Sequence, residues 1–324
     1  MVIIDKPLLH DKVTYFLQDN NTQQLKTDPT DKYQKQILKA IQQCKLLINK
    51  KAHKYLTNIQ PKAPKLNAYV KTHKESMPIR PVVNNTQAPS HRIAKFINTK
   101  LQNLELLPNT YNIKNSTEIA EEISKLHINH NMRLNTLDIK DLYTNLPTQG
   151  IIRAIKVWLY LSINSNEENN QIISLLETIM EQNYFQYNDQ YFKTVKGIAM
   201  GSPLSGTLAE LCLQRIEKEY IKQWLDSEEI YYYKRYVDDI IILYNNNRIQ
   251  EEQILQGINH IGKNLSFKLI TEHKNSINFL DMTIDRKENK LEIGIYRKET
   301  STDTTIHYTS NHPIEQKWQP LGII

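Results

Sequence analysis

The sequence predicts an α+β fold in which helices pack on a mainly antiparallel sheet. Three observations carry this expectation. Ile230 to Tyr236 and Ile240 to Tyr244 are β-rich runs separated only by Val237-Asp238-Asp239, which is hairpin spacing. Arg133 to Ile139 reads as a further strand and is followed by segments of helical periodicity. With 8 Gly and 12 Pro in 324 residues, no internal repeat and no low-complexity linker, the chain is rich in regular structure.

Taken in order, Asp31 to Lys51 places Tyr33, Ile37, Ile41, Cys44 and Ile48 on one helical stripe. Residues 66–70 and 79–83 are β-rich and bracket a turn, which predicts a hairpin presenting Lys71, Lys74 and Arg80. Ser90 opens a helix to about Leu107, and Asn115 with Glu118 forms a capping box for another ending near Leu126. After the strand at 133–139, helices are expected at 148–162 and 169–182, then a hairpin turning at Asn188-Asp189. A long helix follows Pro203, with Leu204, Leu208, Leu211, Ile216, Tyr220 and Leu225 on its apolar side. Beyond the Asp238 hairpin, a helix at 250–265 and strands at 267–271, 278–284 and 290–296 complete the reading.

Charge is unevenly placed. Residues 1–100 hold 18 Lys/Arg against 6 Asp/Glu, a net +12, whereas the remainder holds 23 against 29, a net −6. A basic third suits a polyanion, and lysine-rich solvated helices are the plainer alternative. Cys44 and Cys212 have no metal-ligand spacing with each other or with His, so a zinc site and a disulfide framework are not indicated. Because no apolar run approaches the roughly 18–20 residues of a membrane span, and Asp5 and Lys6 interrupt the N-terminal apolar run, a soluble intracellular protein without membrane partners is expected.

Adjacent carboxylates at a tight turn between apolar strands repel each other, which points to a cation that offsets them. Taken alone, Asp238-Asp239 is equally an ordinary turn dipeptide. Asp138 ends the strand Arg133 to Ile139 and would lie beside the hairpin if the strands are neighbours. Such a cluster suits phosphoryl transfer with two divalent ions about 3.5–4 Å apart, and Mg²⁺ favours carboxylate, water and phosphate oxygens. The segment Gly197 to Gly206, rich in small residues before a long helix, suits close approach to a phosphate or base pair, or a plain helix cap.

In order and wording these segments resemble the reverse transcriptase motif series, and look like the Penelope-like retroelement enzymes, relatives of telomerase. The matching stretches are "LNAYVKTHKESMPIRPVV", "LDIKDLYTNLP", "GIAMGSPLS", "YVDD", "INFLDMTI" and "YRKETSTDTTIHYTSNHP". The resemblance implies a right-hand polymerase: fingers at residues 1–130, palm at 131–296 and the start of a thumb at 297–324. It implies an RNA-directed DNA polymerase that adds dNTPs to a DNA primer on an RNA template with two Mg²⁺ ions, Mn²⁺ being a possible substitute.

Carried over by residue, the resemblance makes Asp138 and Asp238 the ligands of both ions, assisted by Asp239 and the Ile139 carbonyl. Arg80 and Lys71 would hold the triphosphate, and Tyr143 would be the steric gate against a ribose 2′-hydroxyl. Met200, Gly201 and Ser202 would contact the nascent base pair. Lys274, or alternatively Lys268, would protonate the leaving pyrophosphate. Phe279, Leu280 and Asp281 match the primer grip, and are also readable as an ordinary core strand. Gly206 stands where the family usually has proline. The chain is expected to open inside the first fingers strand and to end before most of the thumb, and residence would be nuclear or cytoplasmic. The rivals are a retroelement fragment that only binds nucleic acid and an RNA-templated RNA polymerase.

Overall fold

The computed structural model describes residues 4–71, 74, 76–103, 111–160, 164–261, 265–297, 306, 307 and 309–311. Helix α1 (Lys6–Asp19), strand β1 (Gln23–Leu25), helices α2 (Thr30–Gln43) and α3 (Lys50–Leu56) lead to the hairpin of β2 (Lys65–Val70) and β3 (Ile79–Asn84). Next come α4 (His91–Asn103), α5 (Ser116–Ile123), β4 (Met132–Lys140), α6 (Leu142–Asn145), α7 (Thr148–Tyr160) and α8 (Asn166–Met180). The hairpin of β5 (Tyr184–Tyr187) and β6 (Gln190–Lys193) precedes α9 (Ser205–Ile216), a π-helical turn (Glu217–Ile221) and α10 (Lys222–Asp226). Then follow β7 (Ile230–Tyr236), β8 (Asp239–Asn245), α11 (Glu251–Ile261), β9 (Ser266–Thr271), β10 (Ser276–Phe279), β11 (Met282–Arg286) and β12 (Leu291–Ile295).

A four-stranded antiparallel sheet, in the order β7-β8-β4-β9, occupies the centre. Side-chain alternation sends Leu137, Ile139, Ile240 and Ile242 into the largest core, with Ile151 and Ile155 of α7 and Leu208 and Leu211 of α9. The opposite face sends Leu134, Ile241 and Leu243 into a second core with Ile119 and Ile123 of α5 and with Phe279, Met282 and Ile284 of the β10-β11-β12 sheet. Burial on both faces explains the unbroken apolar run Ile240 to Leu243.

The third sheet, β1-β6-β5-β2-β3, joins β2 and β3 to strands much later in the chain. Residues 184–193, expected beyond the boundary at 130, pair here instead: Gln186 lies parallel to Lys65, and its N–H donates to the Pro64 carbonyl at 2.7 Å. Their hairpin turns at Asn188 and Asp189 as expected, both at positive φ as a two-residue turn requires.

Several boundaries depart from expectation for visible reasons. Residues 1–3, where the first fingers strand was expected to begin, lie outside the described residues, and from Lys6 the chain is helical; Pro7 suits the first turn, and Val13 and Leu17 seat α1 on Leu66, Val83, Phe185 and Phe192. The helix expected over 31–51 stops at Gln43 and restarts at Lys50, where the Asn49 side chain accepts from the Ala52 N–H at 2.9 Å. Residues 278–284 form two strands, since Leu280 at φ 55° turns the chain between Phe279 and Met282. After α9 the π turn inserts an extra residue into the helical phase, so Ile221 is buried while Tyr220, expected on the apolar side, is 40% exposed. The expected thumb lies almost wholly outside the described residues. Among the described residues no helix is long and apolar enough to cross a membrane.

Candidate active site

The central sheet aligns the acidic residues at one end. Asp138 of β4 is directly opposite Asp239 of β8 on one side and Lys268 of β9 on the other. Directly opposed residues of antiparallel strands share a face, so the three side chains form one row. That face is the one covered further along by Leu134, Ile241 and Leu243, and the aspartates lie where the apolar cover ends.

Asp238 occupies the turn itself. Tyr236 pairs with Asp239, leaving Val237 and Asp238 as the two turn residues, and the Asp238 carbonyl accepts from the Ile139 N–H at 3.0 Å. Val237 is at φ 55°, a region that a β-branched residue rarely adopts and that costs about 1–3 kcal/mol. The strand that follows offsets this cost, because Ile240, Ile241, Ile242 and Leu243 are each buried and contribute about 1.5–3 kcal/mol apiece.

Burial pushes the Asp238 carboxyl above its ordinary range and the neighbouring Asp138 charge pushes the same way, while Arg80 and Lys71 pull it down. Thus the β2-β3 hairpin places its two expected cations within electrostatic reach of the turn. Lys71 is held at the hairpin's far end by its N–H, which donates to the Pro78 carbonyl at 2.8 Å. Tyr143, half-buried at the start of α6, has its hydroxyl pushed up by burial and then by the Asp238 and Glu210 charges, which puts it in the same neighbourhood. Among the described residues, however, no group of three or more His, Cys, Asp or Glu side chains is disposed to hold a metal ion on its own. Two interacting carboxylates still fit Mg²⁺, which keeps several waters and takes phosphate oxygens for its remaining positions.

The glycine-serine loop is fixed by backbone contacts on both sides. Gly197 sits at φ 72°, and a Cβ there would come 2.5 Å from the Tyr143 carbonyl oxygen, to which the Ile198 N–H donates at 2.8 Å. Gly201 sits at φ 107°, and its Cβ would come 2.3 Å from the Val83 carbonyl oxygen. The Val83 N–H donates to the Met200 carbonyl at 2.8 Å, so the loop is clamped between β3 and Tyr143. Ser202 N–H and Ser205 Oγ both donate to the Ala199 carbonyl, at 3.1 and 2.6 Å. Met200 lines an open cavity of about 490 Å³ together with Asp141, Thr144, Pro81 and Phe16. Gly206, in the first turn of α9, has no heavy atom within 4 Å of where a Cβ would stand.

Other candidates separate. Lys274 lies in the turn after β9, beyond the rung where Thr271 pairs with Asn135, and so stands at the opposite end of the sheet from Asp138. Lys268 holds the place by Asp138 that the sequence offered to either lysine. Phe279 is 3% exposed in the second core, whereas Leu280 and Asp281 form the tip of the β10-β11 turn. Arg235, fully buried beside the turn, was not singled out from the sequence; a charge inside the strand Ile230 to Tyr236 was the available signal.

The reverse transcriptase (RNA-dependent DNA polymerase) family model matches residues 71–293. In fold the chain is similar to apo telomerase from Candida tropicalis, with a TM-score of 0.61 and 12% identity over 94% of this chain and 56% of that one. It is similar also to telomerase from Candida albicans in complex with the TWJ fragment of telomeric RNA, with a TM-score of 0.60 and 12% identity over 90% and 51% of the two chains. A structure described as an RNA-dependent RNA polymerase gives a TM-score of 0.51 and 14% identity over 79% and 26%. The chain spans about half the length of these telomerases, and comparison with curated proteins gives no match. At such identities the likeness is one of fold, which agrees with the expected α+β architecture of antiparallel sheets and packed helices seen in right-hand polymerases. The matched span, by contrast, takes in β3, the whole central sheet and the loop before α9, and by it the chain belongs to the reverse transcriptase family.

Proposed function

We propose that this chain is an RNA-directed DNA polymerase of a retroelement, of Penelope-like type by its motif wording, which adds dNTPs to the 3′-hydroxyl of a DNA primer on an RNA template. The observation that carries the proposal is the meeting of Asp138, Asp238 and Asp239 at one end of the central sheet, with Arg80 and Lys71 of the β2-β3 hairpin side within electrostatic reach of Asp238. Asp138 and Asp238 would hold two Mg²⁺ ions, or Mn²⁺, with Asp239 and the Ile139 carbonyl beside them. The bound ions would supply charge neutralisation for phosphoryl transfer.

The rest of the chemistry is positioning by the chain's own residues. Arg80 and Lys71 bind the triphosphate, a guanidinium fork matching phosphate geometry. Tyr143, whose hydroxyl feels the Asp238 charge, would be the block to a 2′-hydroxyl. Met200, Gly201 and Ser202 border the base pair, Lys268 offers a proton near Asp138, and Leu280 and Asp281 face the primer. The basic first hundred residues, acting as fingers against a palm built on the central sheet, grip the nucleic acid backbone in a salt-dependent way. Residence would be intracellular, nuclear by family resemblance alone or else cytoplasmic.

Extension of a primed RNA template in Mg²⁺, with dNTPs or with rNTPs and with Asp238→Asn as control, tests this reading. Incorporation of dNTPs alone, lost in the variant, is expected. Preference for rNTPs would favour an RNA polymerase, and tight template binding with no extension would leave only a nucleic-acid-binding fragment.

A further inference from the structure

We propose that Arg235 is a positioning residue that ties the Asp238 turn to helix α9 and, through it, to the glycine-serine loop. The inference rests on the polymerase reading above. Arg235 is 1% exposed and its guanidinium is fully engaged. Nε donates to Glu217 Oε1 at 2.5 Å and Nη2 to Glu217 Oε2 at 3.3 Å. Nη1 and Nη2 donate to the two oxygens of Glu210, at 3.0 and 2.9 Å. Nη1 also donates to the Val237 carbonyl at 3.1 Å, inside the turn that carries Asp238.

Both glutamates belong to one helical run. Glu210 is in α9 and Glu217 opens the π turn, where it is 2% exposed and accepts from the Tyr233 hydroxyl at 3.1 Å. The backbone of Arg235 is pinned as well: its N–H donates to the Tyr111 carbonyl and its carbonyl accepts from the Ile113 N–H, each at 2.9 Å. A buried ionic group of this kind adds little net stability over apolar side chains of equal volume. What it adds is direction, because a planar fork fixes angles that a point charge leaves free.

The turn needs such a fixture. Val237 holds a strained positive φ, and the hydrogen bond from Arg235 to its carbonyl is a side-chain contact that spans the turn. On the other side of Arg235, α9 starts at Ser205, whose hydroxyl holds the Ala199 carbonyl, and the loop in turn holds Tyr143 through Ile198. One guanidinium therefore sets the distance between the carboxylate that would bind the ions and the loop that would border the nucleotide.

The test compares Arg235→Lys and Glu210→Gln with Arg286→Lys, which weakens a remote, partly buried pair with Glu272. Steady-state extension by the full chain, Mg²⁺ titration and hydrogen exchange at the Ile139 amide are measured together. Arg235→Lys is expected to lower kcat on the order of 10- to 100-fold, with KM for dNTP little changed and the Mg²⁺ requirement raised. Exchange at Ile139, whose N–H holds the Asp238 carbonyl, should be faster. Glu210→Gln should move each quantity the same way by less, and it decides the matter if the lysine variant does not fold. Arg286→Lys should lose stability without either change. A folded variant with unchanged kcat and unchanged Ile139 exchange overturns the proposal, as does an equal loss of kcat in Arg286→Lys. If the wild-type chain does not extend a primer, the polymerase reading fails separately, and the exchange comparison alone decides whether Arg235 fixes the turn.

Discussion

Replacing Gly201 by alanine should damage the protein, whereas the same replacement at Gly206, five residues away, should not. At Gly201 the φ of 107° is a conformation that L side chains rarely adopt, and the added Cβ would meet the Val83 carbonyl oxygen at 2.3 Å. Neither can be relieved without moving the loop off β3, which breaks the 2.8 Å hydrogen bond from Val83 N–H to the Met200 carbonyl. Backbone strain of about 1–3 kcal/mol and a lost hydrogen bond of about 0.5–1.5 kcal/mol give roughly 2–4 kcal/mol of destabilisation. For a chain of 324 residues, with unfolding entropy near 2.1 cal/mol/K per residue, this lowers Tm by about 3–6 °C. Gly206 meets nothing within 4 Å and sits in a helix, where alanine is favoured by up to about 1 kcal/mol, so Tm should stay level or rise by about 1 °C. Calorimetry on the two variants reads the difference directly. Equal Tm values, or a Gly201→Ala protein as stable as wild type, would refute the claim that the loop is clamped against β3.

Asp238 should be a cost to stability. Its carboxyl is pushed up by burial and by Asp138, so the folded chain keeps that proton to higher pH than the unfolded chain, and stability falls as pH rises above the ordinary 3.8. Asp238→Asn should therefore raise Tm in EDTA at pH 7, with the gain vanishing as pH falls toward 3.8; an unchanged or lower Tm at pH 7 would contradict the repulsion. Lys268→Ala should lower the single-turnover rate while Lys274→Ala leaves it intact, since only Lys268 lies opposite Asp138; the reverse order would mean that the row across the sheet is not where the proton is supplied.

The central sheet was legible in the sequence because its signals are local. Tyr236 to Tyr244 announces a hairpin by spacing, and Asp138 stands out as a charge ending an apolar strand. The β2-β3 hairpin was legible for the same reason. What the sequence hid depends on partners distant along the chain. Nothing near residues 184–193 marks them as partners of Lys65, because strand pairing is set by packing in three dimensions. The positive φ of Leu280 is carried by a residue with no turn preference, so 278–284 read as one strand. The π turn leaves apolar residues at both Tyr220 and Ile221, and the sequence does not say which is turned outward. Lys268 and Lys274 are equivalent as residues, and only the register of β9 against β4 separates them.

The central claim is that Asp138 and Asp238 form the ion-binding pair, and single-turnover dNTP incorporation across a Mg²⁺ titration tests it most directly. Wild type, Asp138→Asn, Asp238→Asn and Asp239→Asn would be compared on one primed RNA template. Asp138→Asn and Asp238→Asn should abolish incorporation at every Mg²⁺ concentration, and Asp239→Asn should reduce it. Wild-type rates in either of the first two variants would contradict the account.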